Sequence, residues 1–155
     1  MDLLIDTNVL VASVFSGHHH FEASHLLVRN IIAQNIKKAI ALHSLAECFS
    51  TISNLEAHYD FYFPENNTYD LIQENIQPHF EIISLDQNDY LSAMKRISRL
   101  QLKGGIIYDA LILEAALKKN IPQLVTWNKK DFLKHAEVIL KFLSPFELII
   151  LLEPN

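Results

Sequence analysis

Four short segments of this chain each carry an acid, or an acid with an amide, close behind a run of apolar residues. Asp6 follows Leu3-Leu4-Ile5 and is itself followed by Thr7-Asn8. Glu47 lies five residues beyond Leu42, Asp109 precedes an Ala-rich stretch, and Asn128 and Asp131 follow Thr126 in TWNKKDF. Carboxylates drawn together repel, and one or more must take up a proton unless a cation neutralises them. Mg2+ and Mn2+ prefer carboxylate and water oxygens. The single cysteine, Cys48, cannot build a cysteine zinc site, and no HExxH is present. An oxygen-only acidic site therefore points to Mg2+ or Mn2+, with phosphodiester hydrolysis as its chemistry.

Such a site needs elements that bring distant segments to one place. Leu3–Ile5, Ala39–Leu42, Ile82–Leu85 and Gln123–Thr126 have the length of buried strands, and Phe146 to Leu151 reads as a fifth. Between them run helical stripes: Ala23, Leu27 and Ile31; Leu45, Phe49 and Ile52; Ile72 with Ile76; Tyr90, Met94 and Ile97. Ala110 to Lys119 is stopped by Pro122. This alternation predicts an α/β fold with a central, mainly parallel sheet of four or five strands. Function in such sheets gathers at the carboxyl ends of the strands, where all four acidic segments fall.

Each acid also has a plainer reading. Ser44-Leu45-Ala46-Glu47 is a capping box for a helix opened by Ser44, and Asp6, Asp109 and Asn128 with Asp131 stand where helix caps would. Jointly those readings weaken, because a parallel sheet would bring the capping carboxylates face to face. Glu114, five residues past Asp109, is about 140° around the helix from it and is excluded from the site, whereas Leu113 would share that face.

With 155 residues, 50% hydrophobic and 20% charged, the chain reads as a single domain over 1–155 with an ordinary core. No apolar run has the ~18 residues a membrane helix needs, and Asp2 and Asp6 interrupt the N-terminal one. A soluble, cytoplasmic protein is expected. Acids outnumber bases 18 to 13, a net charge of −5 that disfavours a polybasic nucleic-acid coat. Setting aside Asp6, Glu47, Asp109 and Asp131 leaves 14 acids against those 13 bases, so one site accounts for most of the excess.

The remaining features are weaker. His18-His19-His20 reads as a solvated loop, and Cys48 as a small core residue. Most basic clusters, Lys37-Lys38 included, read as solvated helix faces. Lys129, Lys130 and Lys134 flank Asn128 and Asp131, where a phosphate backbone would need counter-charge. Phe61-Tyr62-Phe63 before Pro64 could stack bases but reads better as packing or an interface.

The segments IDTNVL, HSLAECFSTI, GGIIYDALILEAA and LVTWNKKDF resemble, in order and approximate spacing, those of PIN-domain proteins, most closely the VapC-like toxins of toxin–antitoxin pairs. HFEASHLL, with His20 and Ala23, also resembles the stretch after the first acid there. The resemblance implies a PIN-like three-layer α/β/α fold and an Mg2+- or Mn2+-dependent endoribonuclease cutting tRNA or rRNA to leave 5′-phosphate and 3′-hydroxyl ends. It implies Asp6, Glu47 and Asp109 as the core metal-site acids. Asn128 stands where many PIN domains have a fourth acid; it is assigned to direct or water-mediated metal contact, with Asp131 as the remaining acid. Thr7 and Thr126 would position water or phosphate, and Lys129 and Lys130 the substrate. A cognate antitoxin and a homodimer or larger assembly are also implied. Two other readings are a catalytically degenerate PIN-like RNA- or protein-binding module, which Asn128 keeps open, and a phosphotransferase with Asp6 as nucleophile, whose D-x-D pattern is broken by Asn8.

Overall fold

The computed structural model describes residues 2–59, 67–136 and 140–152, the side chains of 56–59 excepted. Phe61-Tyr62-Phe63-Pro64 lies outside them. Five strands form one sheet: β1 (Asp2–Ile5), β2 (Lys37–Ala41), β3 (Glu81–Ile83), β4 (Gln123–Val125) and β5 (Lys141–Leu143). Their order is β3-β2-β1-β4-β5, and every pairing is parallel. The connections supply α1 (Thr7–Val14), α2 (Phe21–Ala33), α3 (Leu42–Tyr59), α4 (Thr68–Asn75), α5 (Gln87–Arg99), α6 (Ile106–Lys118) and α7 (Lys129–Leu133), and α8 (Pro145–Leu152) follows β5.

Strand side chains alternate between faces, and here both faces are apolar because both are covered. Leu3 and Ile5 of β1 join Ile40, Val125 and Leu143 under α1, α2, α3, α4 and α8. Leu4 points the other way, with Ala39, Ala41, Ile83 and Leu124, onto Ile112, Ala115 and Ala116 of α6 and Phe132 of α7. Ala93 and Ile97 of α5 pack on Ala110 and Leu111 of α6. This is the expected three-layer α/β/α arrangement. In α5 the buried stripe is Ala93 and Ile97, while Tyr90 and Met94 are exposed. Lys37 and Lys38 open a strand and are not on a helix face.

The chain runs outward from β1 through β2 to β3, then returns to lay β4 against the other side of β1. The strand order thus reverses between β1 and β4, and the connections after these strands part there to leave a crevice. Asp6 and Thr126 follow those two strands directly.

The run Phe146–Leu151 is helix, not strand, and the fifth strand is Lys141–Leu143 just before it. Ser144-Pro145-Phe146-Glu147 carries the reason. Glu147 Oε2 accepts from the Ser144 backbone N–H at 2.6 Å, and Ser144 Oγ accepts from the Glu147 N–H at 3.3 Å, a reciprocal box. Proline at the first helical position is preset for the turn. The Lys129 ammonium and the Ser144 donors hold the Glu147 carboxyl down at about 2. Ser144→Ala is expected to cost about 1 kcal/mol, read as a fall in melting temperature of about 2–4 °C in a chain this size. An unchanged melting temperature would remove the box from the account of this helix.

Ser44 shows the same S-x-x-E pattern without the cap. Helix α3 starts at Leu42, directly from β2, so Ser44 is already inside its first turn. Its Oγ is buried with no hydrogen-bond partner among the described residues. Glu47 is thereby left for other work.

Candidate active site

Asp6 ends β1 and occupies the N-cap position of α1. Its backbone N–H donates to Val125 O at 3.0 Å, which continues the β1–β4 ladder by one residue. Its side chain makes no capping hydrogen bond. Instead the Thr126 hydroxyl donates to Asp6 Oδ2 at 2.6 Å, across the switch in strand order. Thr126 Oγ1 also accepts from Asn8 Nδ2 at 3.2 Å and from the Asn128 backbone N–H at 2.8 Å. One buried hydroxyl thus ties the ends of β1 and β4 together around the carboxylate.

Glu47 is brought alongside by α3. Its Oε2 accepts from the Thr7 hydroxyl at 2.8 Å, and His43 Nε2, one turn earlier, stands 3.8 Å from the same oxygen. Asp109 lies in the first turn of α6, whose cap position is Gly105, so it is not itself the cap. An acid there is favoured by the partial positive charge of the helix N-terminus. Asp6, Glu47 and Asp109 line one cleft of about 400 Å³ with Thr7, Asn8 and His18. Its apolar wall includes Ile112, not Leu113, which is fully buried in the core.

Burial and like charge govern how these acids ionise. Asp6 is 3% exposed. Burial, partly offset by the Thr126 hydroxyl, pushes its carboxyl up to about 7, and negative Asp109 and Glu47 push the same way. Burial also pushes Asp109 up to about 6, with Asp131 and Glu47 adding to it. The Cys48 thiol, fully buried beside Glu47 and Asp6, goes up to about 12 and is inert packing. Among the described residues no three acidic, histidine or cysteine side chains are arranged closely enough to hold a metal ion. The donors that share the cleft are nonetheless oxygens of like charge, the set a hard divalent cation relieves.

Asn128 and Asp131 stand apart from the cleft lining. Asn128 Nδ2 donates to Asp131, and Lys134 pairs with Asp131. Those two contacts hold the Asp131 carboxyl below its ordinary range. Asp131 is still near enough to Asp109 to raise it. Lys129 is engaged by Glu147 of α8, whereas Lys130 is exposed. Glu114 turns away from the cleft, as its position on the helix requires, and pairs with Arg96 of α5 at 2.5 Å.

Spacing did not single out Asn8, His18 or His43. Asn8 was readable as the second polar residue after a strand-end acid; it links Thr126 to Trp127, whose backbone N–H donates to Asn8 Oδ1 at 3.2 Å. His43 sits on the Glu47 face of α3 at i−4, a helical offset visible in the chain once Glu47 is chosen.

The PIN domain family model matches residues 3–138. None of the curated proteins matches the chain. Solved structures do. A toxin–antitoxin complex from Klebsiella pneumoniae is 24% identical, covering 94% of this chain and 99% of that one, with a TM-score of 0.59. VapBC2 from Rickettsia felis, bound to a DNA fragment from its promoter, is 21% identical over 93% of this chain and 98% of that one, TM-score 0.63. VapC20 of Mycobacterium tuberculosis, a toxin that cleaves the sarcin–ricin loop, is 14% identical over 90% and 99%, TM-score 0.69. No helix among the described residues is long and apolar enough to cross a membrane.

Proposed function

Because the chain belongs to the PIN domain family, we propose that it is a divalent-metal-dependent endoribonuclease, the toxin of a toxin–antitoxin pair. The observation that carries this reading is the cleft at the strand-order switch, lined by Asp6, Glu47 and Asp109, where burial and the neighbouring carboxylates push Asp6 and Asp109 up. The likeness to VapC-type toxins supports RNA as the substrate and an antitoxin as the partner. A loop of tRNA or rRNA fits the general preference of RNA-reading proteins for unpaired bases.

Asp6, Glu47 and Asp109 would hold Mg2+ or Mn2+; Asn128 and Asp131, bonded to each other outside the cleft lining, would have to turn toward it to complete the oxygen donors. Bound there, the cation supplies activation of water and stabilisation of the leaving oxygen. The chain's own residues do the positioning. Thr126 holds one oxygen of Asp6 and Thr7 one of Glu47, so both carboxylates are oriented without being neutralised. The Asn128 N–H on Thr126 Oγ1 keeps that hydroxyl's hydrogen directed at Asp6. Exposed Lys130 supplies counter-charge to the phosphate backbone.

The test is total cellular RNA incubated with the purified chain and Mg2+ or Mn2+, with new 5′ ends mapped against Asp109→Asn. Discrete 5′-monophosphate ends are expected from the wild type and not from the variant. Intact RNA under both metals would overturn the reading. Asn128, an amide at an often acidic position, favours a second reading, a binding module without catalysis. That alternative predicts intact RNA and no Mn2+ binding that is lost on Asp6→Asn.

A further inference from the structure

The histidine tract plays no part in the proposed hydrolysis; it lies in the exposed turn between α1 and α2, but its rings pack on one another and on Trp127. The rings of His18 and His19 stack with centroids 4.4 Å apart, and those of His19 and His20 lie at 3.9 Å. His20 then lies face to face on Trp127, at 3.8 Å and 8° between planes. Three consecutive residues meet because the turn between α1 and α2 is irregular. The His20 backbone N–H donates to His18 Nδ1 at 3.1 Å, folding the tract on itself.

This cluster is anchored to the acidic site. His18 lines the cleft with Asp6, Glu47 and Asp109. Trp127 is fixed from three sides: its Nε1–H donates to Ser24 Oγ at 2.9 Å, its backbone N–H to Asn8 Oδ1, and its edge meets Phe146 at 5.2 Å and 78°. Asn8 in turn bonds Thr126, which holds Asp6. A rigid stack loses little freedom when something lies on it. His19 is exposed, and His18 and His20 are partly so.

The chemistry selects among ligands. Burial and the neighbouring imidazoles hold His18 and His20 below the usual histidine range, so at neutral pH they offer flat uncharged faces rather than phosphate-binding cations. His18 and His19 are stacked, His19 and His20 meet tilted at 48°, and no such group among the described residues is arranged to hold a metal. What neutral, pre-stacked rings beside a phosphodiester-cleaving centre accept is another flat ring. Base-on-aromatic stacking suits any base, because every base has a π face.

The geometry points to the His18-His19-His20–Trp127 cluster as a stacking subsite for one unpaired base of single-stranded RNA, next to the nucleotide that is cut. This rests on the reading of the acidic cleft as a ribonuclease site. Trp127 is the chain's single tryptophan, so its fluorescence reports the subsite alone.

The test titrates the whole chain, in EDTA at low salt, with a single-stranded RNA octamer and with the same octamer made abasic at each position in turn. Saturable quenching of Trp127 is expected, lost when one particular base is removed. Labelled-octamer anisotropy should show His20→Ala, which removes the ring joining the tract to Trp127, binding about 5- to 100-fold more weakly, the range expected for losing a stacked base. His20→Phe, which restores a flat ring, should regain most of that loss. Binding without quenching, binding equal in His20→Ala, quenching indifferent to abasic sites, or no saturable binding would each overturn the subsite. Cleavage with Mn2+ in any of those cases leaves the nuclease reading standing; base-dependent quenching without cleavage leaves the subsite and removes the nuclease.

Discussion

Asp6→Asn is expected to lose RNA cleavage by about 10²-fold or more, and to gain stability while doing so. The two effects share one cause. The wild-type carboxyl titrates at about 7 in the folded chain against 3.8 as an unperturbed acid, so folding favours its protonated form. The stability tied to that form is full below the unperturbed value and is lost as pH rises from about 4 to about 7. Linkage puts the loss at about 4 kcal/mol as an upper figure. Asparagine cannot ionise and can still accept from Thr126. The melting temperature of metal-free Asp6→Asn should therefore match the wild type near pH 4 and exceed it by up to about 16 °C at pH 8. Mn2+ at pH 8 should raise the wild type and leave the variant unmoved, by mass action on the folded state. A difference that does not change with pH would separate Asp6 from the strain, and full cleavage by the variant would separate it from catalysis.

Glu114→Ala is expected to destabilise the fold by about 3–5 kcal/mol, a fall of about 6–20 °C. Glu114 and Arg96 lie on facing helices with side chains 10% and 14% exposed. Arg96 Nη1 already has no hydrogen-bond partner among the described residues. Removing the carboxylate leaves a largely buried guanidinium without its ion-pair partner. Replacing both partners by apolar residues, Arg96→Met with Glu114→Leu, should recover most of the loss, because the expense lies in the stranded charge. Denaturant unfolding of the single and double variants reads this directly. A single variant as stable as the wild type would show that the α5–α6 contact is held by the apolar cluster around Ala93, Ile97, Ala110 and Leu111 without the ion pair.

The contrast between Ser44 and Ser144 shows what the chain makes legible. Both begin S-x-x-E. At 144 the box forms, and it would have told the apolar run Phe146–Leu151 from a strand, which its composition cannot do. At 44 the helix has already begun at Leu42, and the pattern misleads. Asp6 and Glu47 were readable because they follow β1 and β2, whose ends a parallel sheet sends to one edge; Asp109 reaches the same cleft from the first turn of α6, which follows a helix and not a strand. The hydroxyls were found but their duties were not: which atom Thr7 and Thr126 reach is decided by packing over 40 and 120 residues of separation. The His18–Trp127 stack lies in an irregular turn, where no period exists to read.

That last separation has a consequence for the chain while it is being made. β1 is central, but one of its two neighbours, β4, and the threonine that orients Asp6 are synthesised some 120 residues after it. Pairing at such sequence distance is slow and non-local. A nascent chain still short of Thr126 has its acids but neither the β4 neighbour of β1 nor the hydroxyl that orients Asp6. On the ribonuclease reading proposed above, the site would be completed only after nearly the whole sheet has been made.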